Sequence, residues 1–288
     1  MSSEDDPRLE PALYIVGTPI GNLEDITLRA LRVLRSVNRI ACEDTRQTQK
    51  LLNHYDIHTA TISYHEHNEM TRAPELIVHL EDGESIALVT DAGMPAISDP
   101  GHRLITLAIR HKIRVVPIPG ASAFLSALVA SGLPGDSFKF HGFLPAKSGQ
   151  RRKFLEDVKQ APRTQIFYEA PHRIIETLKD ISDVMGPTRE VVVAREVTKI
   201  HEEFLRGRVE DVLQTAQERG ELKGEITLLI APPSESETQV VRKESVSQMI
   251  DRVMREESLD EKDALKRVAR ELGISKSEAY REFQRTKK

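Results

Sequence analysis

The sequence predicts an α/β protein in three parts: an α/β domain on a parallel sheet, a second α/β domain on a mixed sheet, and a small C-terminal helical appendage resembling a helix-turn-helix. Three observations carry this. Over 12–132, short apolar runs alternate with segments of helical period, the pattern of βαβ units. The run Gly132-Leu133-Pro134-Gly135-Asp136 then breaks that rhythm, and over 137–231 some apolar runs follow one another too closely for helical crossovers. Finally, 232–244 opens with two prolines, is polar and aperiodic, and reads as a linker, after which 245–288 scans as three short helices.

In the first domain the expected strands are 12–16, 38–42, 61–64, 85–90 and 113–118. Between and after them fall helices at 27–37, 46–52, 69–80, 102–110 and 122–131, the first with Leu28, Leu31 and Leu34 on one face. In the second domain the expected strands are 138–144, 165–168, 191–196, 201–207 and 225–230. Those near 191 and 202 leave no room for a crossover helix, so the sheet is mixed or partly antiparallel. In the tail, Leu265, Val268, Ala269 and Leu272 recur at helical spacing. A Gly273-Ile274-Ser275 turn with Ser275 as N-cap follows, then Ala279, Tyr280 and Phe283 on the next helix.

Composition narrows the function classes. With 39% hydrophobic and 30% charged residues the chain is globular, and its apolar runs are far shorter than the ~18 to 20 residues a membrane span needs. The acidic start MSSEDDPRLEP has neither the basic residues nor the apolar stretch of a signal peptide, so a cytoplasmic location is expected. One cysteine, Cys42, excludes internal disulfides and multi-cysteine metal sites. The net charge of −4 argues against a nucleic-acid partner until it is divided: 242–288 has 13 basic and 10 acidic residues, the remainder 28 and 35. The tail is the net-positive part.

Three glycine- and proline-rich loops, 17–22, 91–101 and 119–123, directly follow expected strands. In a parallel sheet such loops gather at the strand C-termini, where ligands bind. They lack both G-x-x-x-x-G-K-[ST] and G-x-G-x-x-G, which removes phosphate-cradle chemistry. Asp91 and Asp99 would repel a phosphate but suit an ammonium, a ribose hydroxyl or a sulfonium. The plainer alternative is that the glycines only turn the chain and Asp99 caps a helix.

The segments VGTPIGNLEDIT, CEDTRQTQKLL, SYHEHNE, VTDAGMPAISDPG, IPGASAFLSAL, HGFLP, YEAPHR, REVTKIHEE and KGEITLLI together resemble the tetrapyrrole-methylase-like superfamily, and within it the branch of ribosomal RNA small subunit methyltransferase I. The resemblance runs from about Leu13 to Ile230. It implies two α/β domains, S-adenosylmethionine bound between them, a homodimer, and 2′-O-methylation of a cytidine in the decoding region of 16S rRNA within the 30S subunit. By loop position it puts the donor against Pro19, Asp91, Ala92, Gly93 and Ile97, then Ala121, Ser122 and Ala123, and from the second domain Tyr168, Ala194, Ile226 and Thr227. The first loop here is Gly17-Thr18-Pro19-Ile20-Gly21-Asn22 and the second ends Ser98-Asp99-Pro100, departures from the G-x-G-P-G-D and G-D-P loops of tetrapyrrole methylases that make a porphyrinoid substrate less expected.

Methyl transfer to a hydroxyl needs positioning and a group to take the proton, and no metal. Glu43, Asp44, His65 and Glu66 follow strands at the same sheet edge and are the candidate catalytic groups. Asp44 as a simple N-cap with Arg46 in the first turn is the competing account. Candidate RNA contacts are Arg46, Lys147, Arg151, Arg152, Lys153 and Arg173, with Lys276, Arg281 and Arg285 in the tail. Arg195, Glu196 and Lys199 are read as structural, pairing with one another. Two other readings stand beside this one: a relative acting on a tetrapyrrole or other small molecule, which has no use for a basic tail, and a metabolite-sensing DNA-binding regulator, which leaves CEDTR, YHEHNE and YEAPHR unexplained.

Overall fold

Alternation along β1 (Leu13–Val16) sets up the first half of the molecule, for its odd and even residues bury into different layers. A computed structural model describes residues 9–220, 222–234, 246–256 and 259–286. The chain divides into two compact units, one of 1–158 with 163–231 and the other of 159–162 with 232–288. The N-terminal residues 1–8, most of the expected linker (235–244), Lys287-Lys288 and the Arg285 side chain lie outside the described residues.

The first sheet has the order β3-β2-β4-β1-β5, with β2 at Arg39–Cys42, β3 at Thr61–Ser63, β4 at Ile86–Leu88 and β5 at Val115–Ile118. Every pair is parallel. Ala12, Tyr14 and Val16 pack with Ala30, Val33 and Leu34 of α1 (Leu28–Ser36) and Leu52 of α2 (Thr45–His54). Leu13 and Ile15 face the opposite layer, Leu76, Ile77 and Leu80 of α3 (Glu69–Glu81) and Leu104 and Ala108 of α4 (His102–Arg110). Helices on both faces are what a parallel sheet requires, because its crossovers must cover it. Leu28 departs from the expected apolar face: it is 87% exposed, since the inward stripe of α1 begins at Ala30.

The second sheet runs β6-β7-β10-β8-β9, with β6 at Phe138–Phe143, β7 at Thr164–Glu169, β8 at Glu190–Arg195, β9 at Glu203–Arg208 and β10 at Ile226–Ile230. Only β6 and β7 are parallel; β7-β10, β10-β8 and β8-β9 are antiparallel, the mixed sheet that the short spacing near 191 and 202 predicts. One face is covered by α6 (Ser148–Val158), α7 (Ile174–Met185) and α8 (Val209–Arg219) through Leu155, Leu178, Ile181 and Val212. On the other face Ile166, Val192, Ala194 and Leu229 meet Ala127 and Leu128 of α5 (Ala123–Ser131) and Ile20 from the loop after β1. That shared layer joins the two halves and brings the first sheet's loops against the second sheet.

The second unit has a core of its own. Helices α9 (Val246–Glu256), α10 (Glu261–Glu271) and α11 (Lys276–Thr286) enclose Ile250, Val253, Leu265, Val268, Ala279 and Phe283. Asp260 and Ser275 cap α10 and α11 by accepting from Asp263 N and Glu278 N, and Gly273 supplies the left-handed turn between them at φ +64°. Leu272 and Tyr280 are corrections to the expected apolar stripe, 41% and 49% exposed respectively.

Candidate functional site

Strands β4 and β1 are neighbours whose outgoing connections run to opposite sides of the sheet, towards β5 and β2. A crevice opens at such a point, where ligands bind in open α/β sheets. Three contacts lock the loops there. Gly17 and Gly120 lie back to back, so that a Cβ on Gly17 would sit 2.7 Å from Gly120 Cα. Thr18 and Gly93 exchange backbone hydrogen bonds at 2.9 and 3.1 Å. The buried Thr18 hydroxyl donates to the carbonyl of Thr90 at 3.1 Å. Within the loop after β4, Ala96 and Ser98 hold φ of +67° and +64°, a conformation that side chains disfavour and that the surrounding contacts must enforce.

Between these loops and the second sheet is a cavity of about 390 Å³. Of the residues expected around a donor, Ala92, Gly93, Ile97, Ser122, Ala123, Tyr168, Ile226 and Thr227 line it. Four do not. Ala194 is wholly buried beside Thr227 in the β8-β10 ladder, Ala121 turns its carbonyl towards Gly93, Pro19 only precedes the lining Ile20, and Asp91 points outward to accept the Asp44 N–H at 3.2 Å. Asp99, read from the sequence as suited to a sulfonium or a ribose hydroxyl, lines the cavity too, whereas Val197, Phe124, Phe143, Glu169 and Glu225 were missed. The fit to a sulfonium nucleoside is chemical: apolar walls (Ile20, Ile97, Phe124, Val197) for a flat base, and Asp99 for the positive end and the hydroxyls, Glu169 and Glu225 in the same lining being paired with Arg173 and Lys199. Burial, and secondarily the charge of Asp99, raises the Tyr168 phenol to about 12, so it stays a neutral hydroxyl in that wall.

Asp99 and Ser98 also border a second cavity, a polar groove of about 720 Å³. Glu43, Glu66 and Glu69 line one part of it and His102, Arg103 and Arg110 of α4 another. Burial pushes the Asp99 carboxyl up to about 6, the neighbouring Thr90 hydroxyl opposes this, and the charges of Glu43 and Asp91 add to the rise. The Thr90 hydroxyl donates to Glu43 Oε2 at 3.0 Å.

The four candidate catalytic residues therefore separate. Glu43 and Glu66 face the groove. Asp44 is spent on structure: it accepts Arg46 N at 2.8 Å as the cap of α2 and binds the Arg46 guanidinium at 3.0 Å, which holds its carboxyl down at about 2. A carboxyl so held is a poor proton acceptor at neutral pH. His65 borders neither cavity; its backbone N–H donates to Asn68 Oδ1 at 2.9 Å and its ring contacts Asn68, with Nδ1 buried and unpartnered.

Among the expected RNA contacts, Arg151 is a correction. It is fully buried, with Nε 2.7 Å from Asp180 Oδ2 and a further bond to the Ala146 carbonyl, so it clamps α6 to α7. Arg173 is largely spent likewise, paired at 2.5 Å with the buried Glu169, which also accepts from the Thr177 hydroxyl. Lys147, Lys153, Lys276 and Arg281 are exposed; Arg152 bonds Asp183 at 2.7 Å and Arg46 bonds Asp44. The structural reading of Lys199 agrees with its 2.9 Å pair to Glu196, whereas Arg195 pairs with Glu203 at 3.2 Å.

Comparison with known proteins adds the lineage. The chain is similar to the ribosomal RNA small subunit methyltransferase I of Halalkalibacterium halodurans, 50% identical over 271 residues that cover 93% of each chain. It is similar to that of Vibrio cholerae at 53% over 226 residues, 78% of each. In fold it is similar to a uroporphyrin-III C-methyl transferase from Thermus thermophilus complexed with S-adenyl homocysteine, with a TM-score of 0.53 and 19% identity over 80% of this chain and 99% of that one. The family described as Tetrapyrrole (Corrin/Porphyrin) Methylases matches residues 12–213. By the extent of that match and by half-identity across nearly its whole length, the chain belongs to the tetrapyrrole methylases, in their ribosomal RNA small subunit methyltransferase I branch.

Proposed function

We propose that this chain is a cytoplasmic homodimer that uses S-adenosylmethionine to methylate the 2′-hydroxyl of a cytidine ribose in the decoding region of 16S rRNA, within the 30S subunit. The observation that carries the reading is the pair of adjoining cavities at the end of the first sheet, one apolar and of a size for a nucleoside, the other polar and open. Two-substrate transfer needs such a pair, each holding one reactant against the other.

When bound, the donor supplies an electrophilic methyl on a positively charged sulfur. The chain's own residues do the rest. Ile20, Ile97, Phe124 and Val197 exclude water from the first cavity. Asp99 complements a positive charge. On the acceptor side, the carboxylates of Glu43 and Glu66 suit ribose hydroxyls and the exocyclic amine of cytosine, and Arg103 and Arg110 suit a phosphate. Lys147, Lys153, Lys276 and Arg281, all exposed, are available for flanking phosphates. Support for a dimer comes from α5, apolar on every side yet leaving Val129 84% exposed.

The test is tritiated methyl transfer to 30S subunits, naked rRNA and ribosomal protein in parallel, with the labelled nucleotide mapped. Label on one cytidine 2′-oxygen is the expected result. Label confined to protein, to a base, or to an added tetrapyrrole would refute the reading.

A further inference from the structure

Among the described residues, Asp99 is the one acid that borders both cavities. Its loop is stitched to the loop after β1 through Thr18 and Gly93 and carries the two strained residues Ala96 and Ser98, so the carboxylate sits on a stiff support at the neck between the sites. The groove beyond it has a second feature of a binding site: the Nε of Arg103, which lines it, is buried without a hydrogen-bond partner. Buried polar groups in folded chains are nearly always satisfied, so an unsatisfied one at a cavity wall calls for a ligand's acceptor.

Resting on the function proposed above, we propose that the groove is the subsite for the acceptor nucleotide and that Asp99, at its neck, is the catalytic carboxylate that takes the 2′-hydroxyl proton. The hydroxyl's proton passes to a carboxylate oxygen of Asp99 while the ribose oxygen's electron pair forms the bond to the methyl carbon. The carbon–sulfur bond breaks with its pair remaining on sulfur, which becomes a neutral thioether. The proton then leaves Asp99 for water in the open groove.

The charged surroundings suit this task. Glu43 after β2 and Asp91 in the same loop add negative charge, and Glu66 and Glu69 line the groove beyond. Tyr168, Glu169 and Glu225 border the donor cavity from the second sheet, and His102, Arg103 and Arg110 border the groove from α4. Because burial and like charges favour its protonated form, Asp99 holds its proton up to about pH 6 and is free to accept one above that. A base with its pKa close below the working pH is the effective choice.

Single-turnover transfer to saturating 30S subunits, measured from pH 5 to 8 on the full-length chain, tests both parts. The wild-type rate should rise through an inflection near pH 6. At saturating donor, Asp99→Asn, with an unchanged melting temperature, should lose on the order of 100-fold in rate and the inflection with it, while filter-bound 30S affinity stays within a few-fold. Arg110→Gln should raise the KM for 30S by several-fold with kcat unchanged, and Glu66→Gln should weaken 30S binding without touching the donor. A rate for Asp99→Asn within threefold of wild type, or an inflection that survives it, overturns the assignment of the base. Unaltered KM and 30S binding in both groove variants overturns the subsite. Failure of the underlying function looks different: the wild type itself then labels no ribose.

Discussion

Two acidic loops follow parallel strands at the same edge of the first sheet, and they have opposite fates. After β2, Asp44 is partly exposed, caps a helix and grips Arg46, and its carboxyl is held at about 2. After β4, Asp99 is half-buried among other carboxylates at the junction of two cavities and is raised to about 6. The residue type is the same; the partner decides. A neighbouring guanidinium spends an acid on structure, whereas burial beside like charges leaves it with a proton affinity that chemistry can use. Cations repeat the contrast. Arg151 is fully engaged by Asp180 inside the second half, and Arg103 retains an unpartnered Nε at the groove.

The largest effect expected from this contrast is on stability. Asp180→Ala would strand the buried Arg151 charge and should lower unfolding free energy by about 3–5 kcal/mol, read by urea denaturation. Donor affinity of the folded protein should be unchanged. A loss below about 1 kcal/mol, in the range of exposed pairs, would mean that Arg151 is not held as a structural cation.

Asp44→Asn should leave the single-turnover rate within about threefold of wild type, because asparagine still caps α2. Asp44→Ala should lower the melting temperature by a few degrees with little further change in rate. A large rate loss in the asparagine variant would break the comparison, since it would give the arginine-paired acid the chemical role assigned to Asp99.

The finest test is Glu43→Gln. Removing a like charge near Asp99 favours its ionised form, while the glutamine oxygen can still accept from the Thr90 hydroxyl. The inflection in the pH–rate profile should therefore move to lower pH by a fraction of a unit. A shift to higher pH, or none, would show that the two acids are uncoupled.

Much of this architecture could be read along the chain, because the period of apolar residues is a local property. Apolar runs alternating with segments of helical period over 12–132, and the crowding of strands near 191 and 202, carry the character of the two sheets. Three positions were misread for one reason. Leu28, Leu272 and Tyr280 lie on or beside apolar stripes but at their edges, and periodicity does not say where a stripe stops. The site was legible only as loops. Arg151 looked like a phosphate contact because its partner is 29 residues away, on a helix that carries no basic signature of its own. Asp99 stood in plain view in its motif, yet its burial depends on residues after β2, β4 and β7 that only the fold assembles.

The back-to-back glycines at 17 and 120 have a consequence for selectivity. Where side chains wall a cavity, a new rotamer can enlarge it; where two backbones touch, nothing can be swung aside. Near this contact the pocket is pre-shaped by backbone, so little of the binding energy should go into reshaping it. The same stiffness limits tolerance: donor analogues carrying groups bulkier than methyl have to find their room on the groove side, which is walled by side chains.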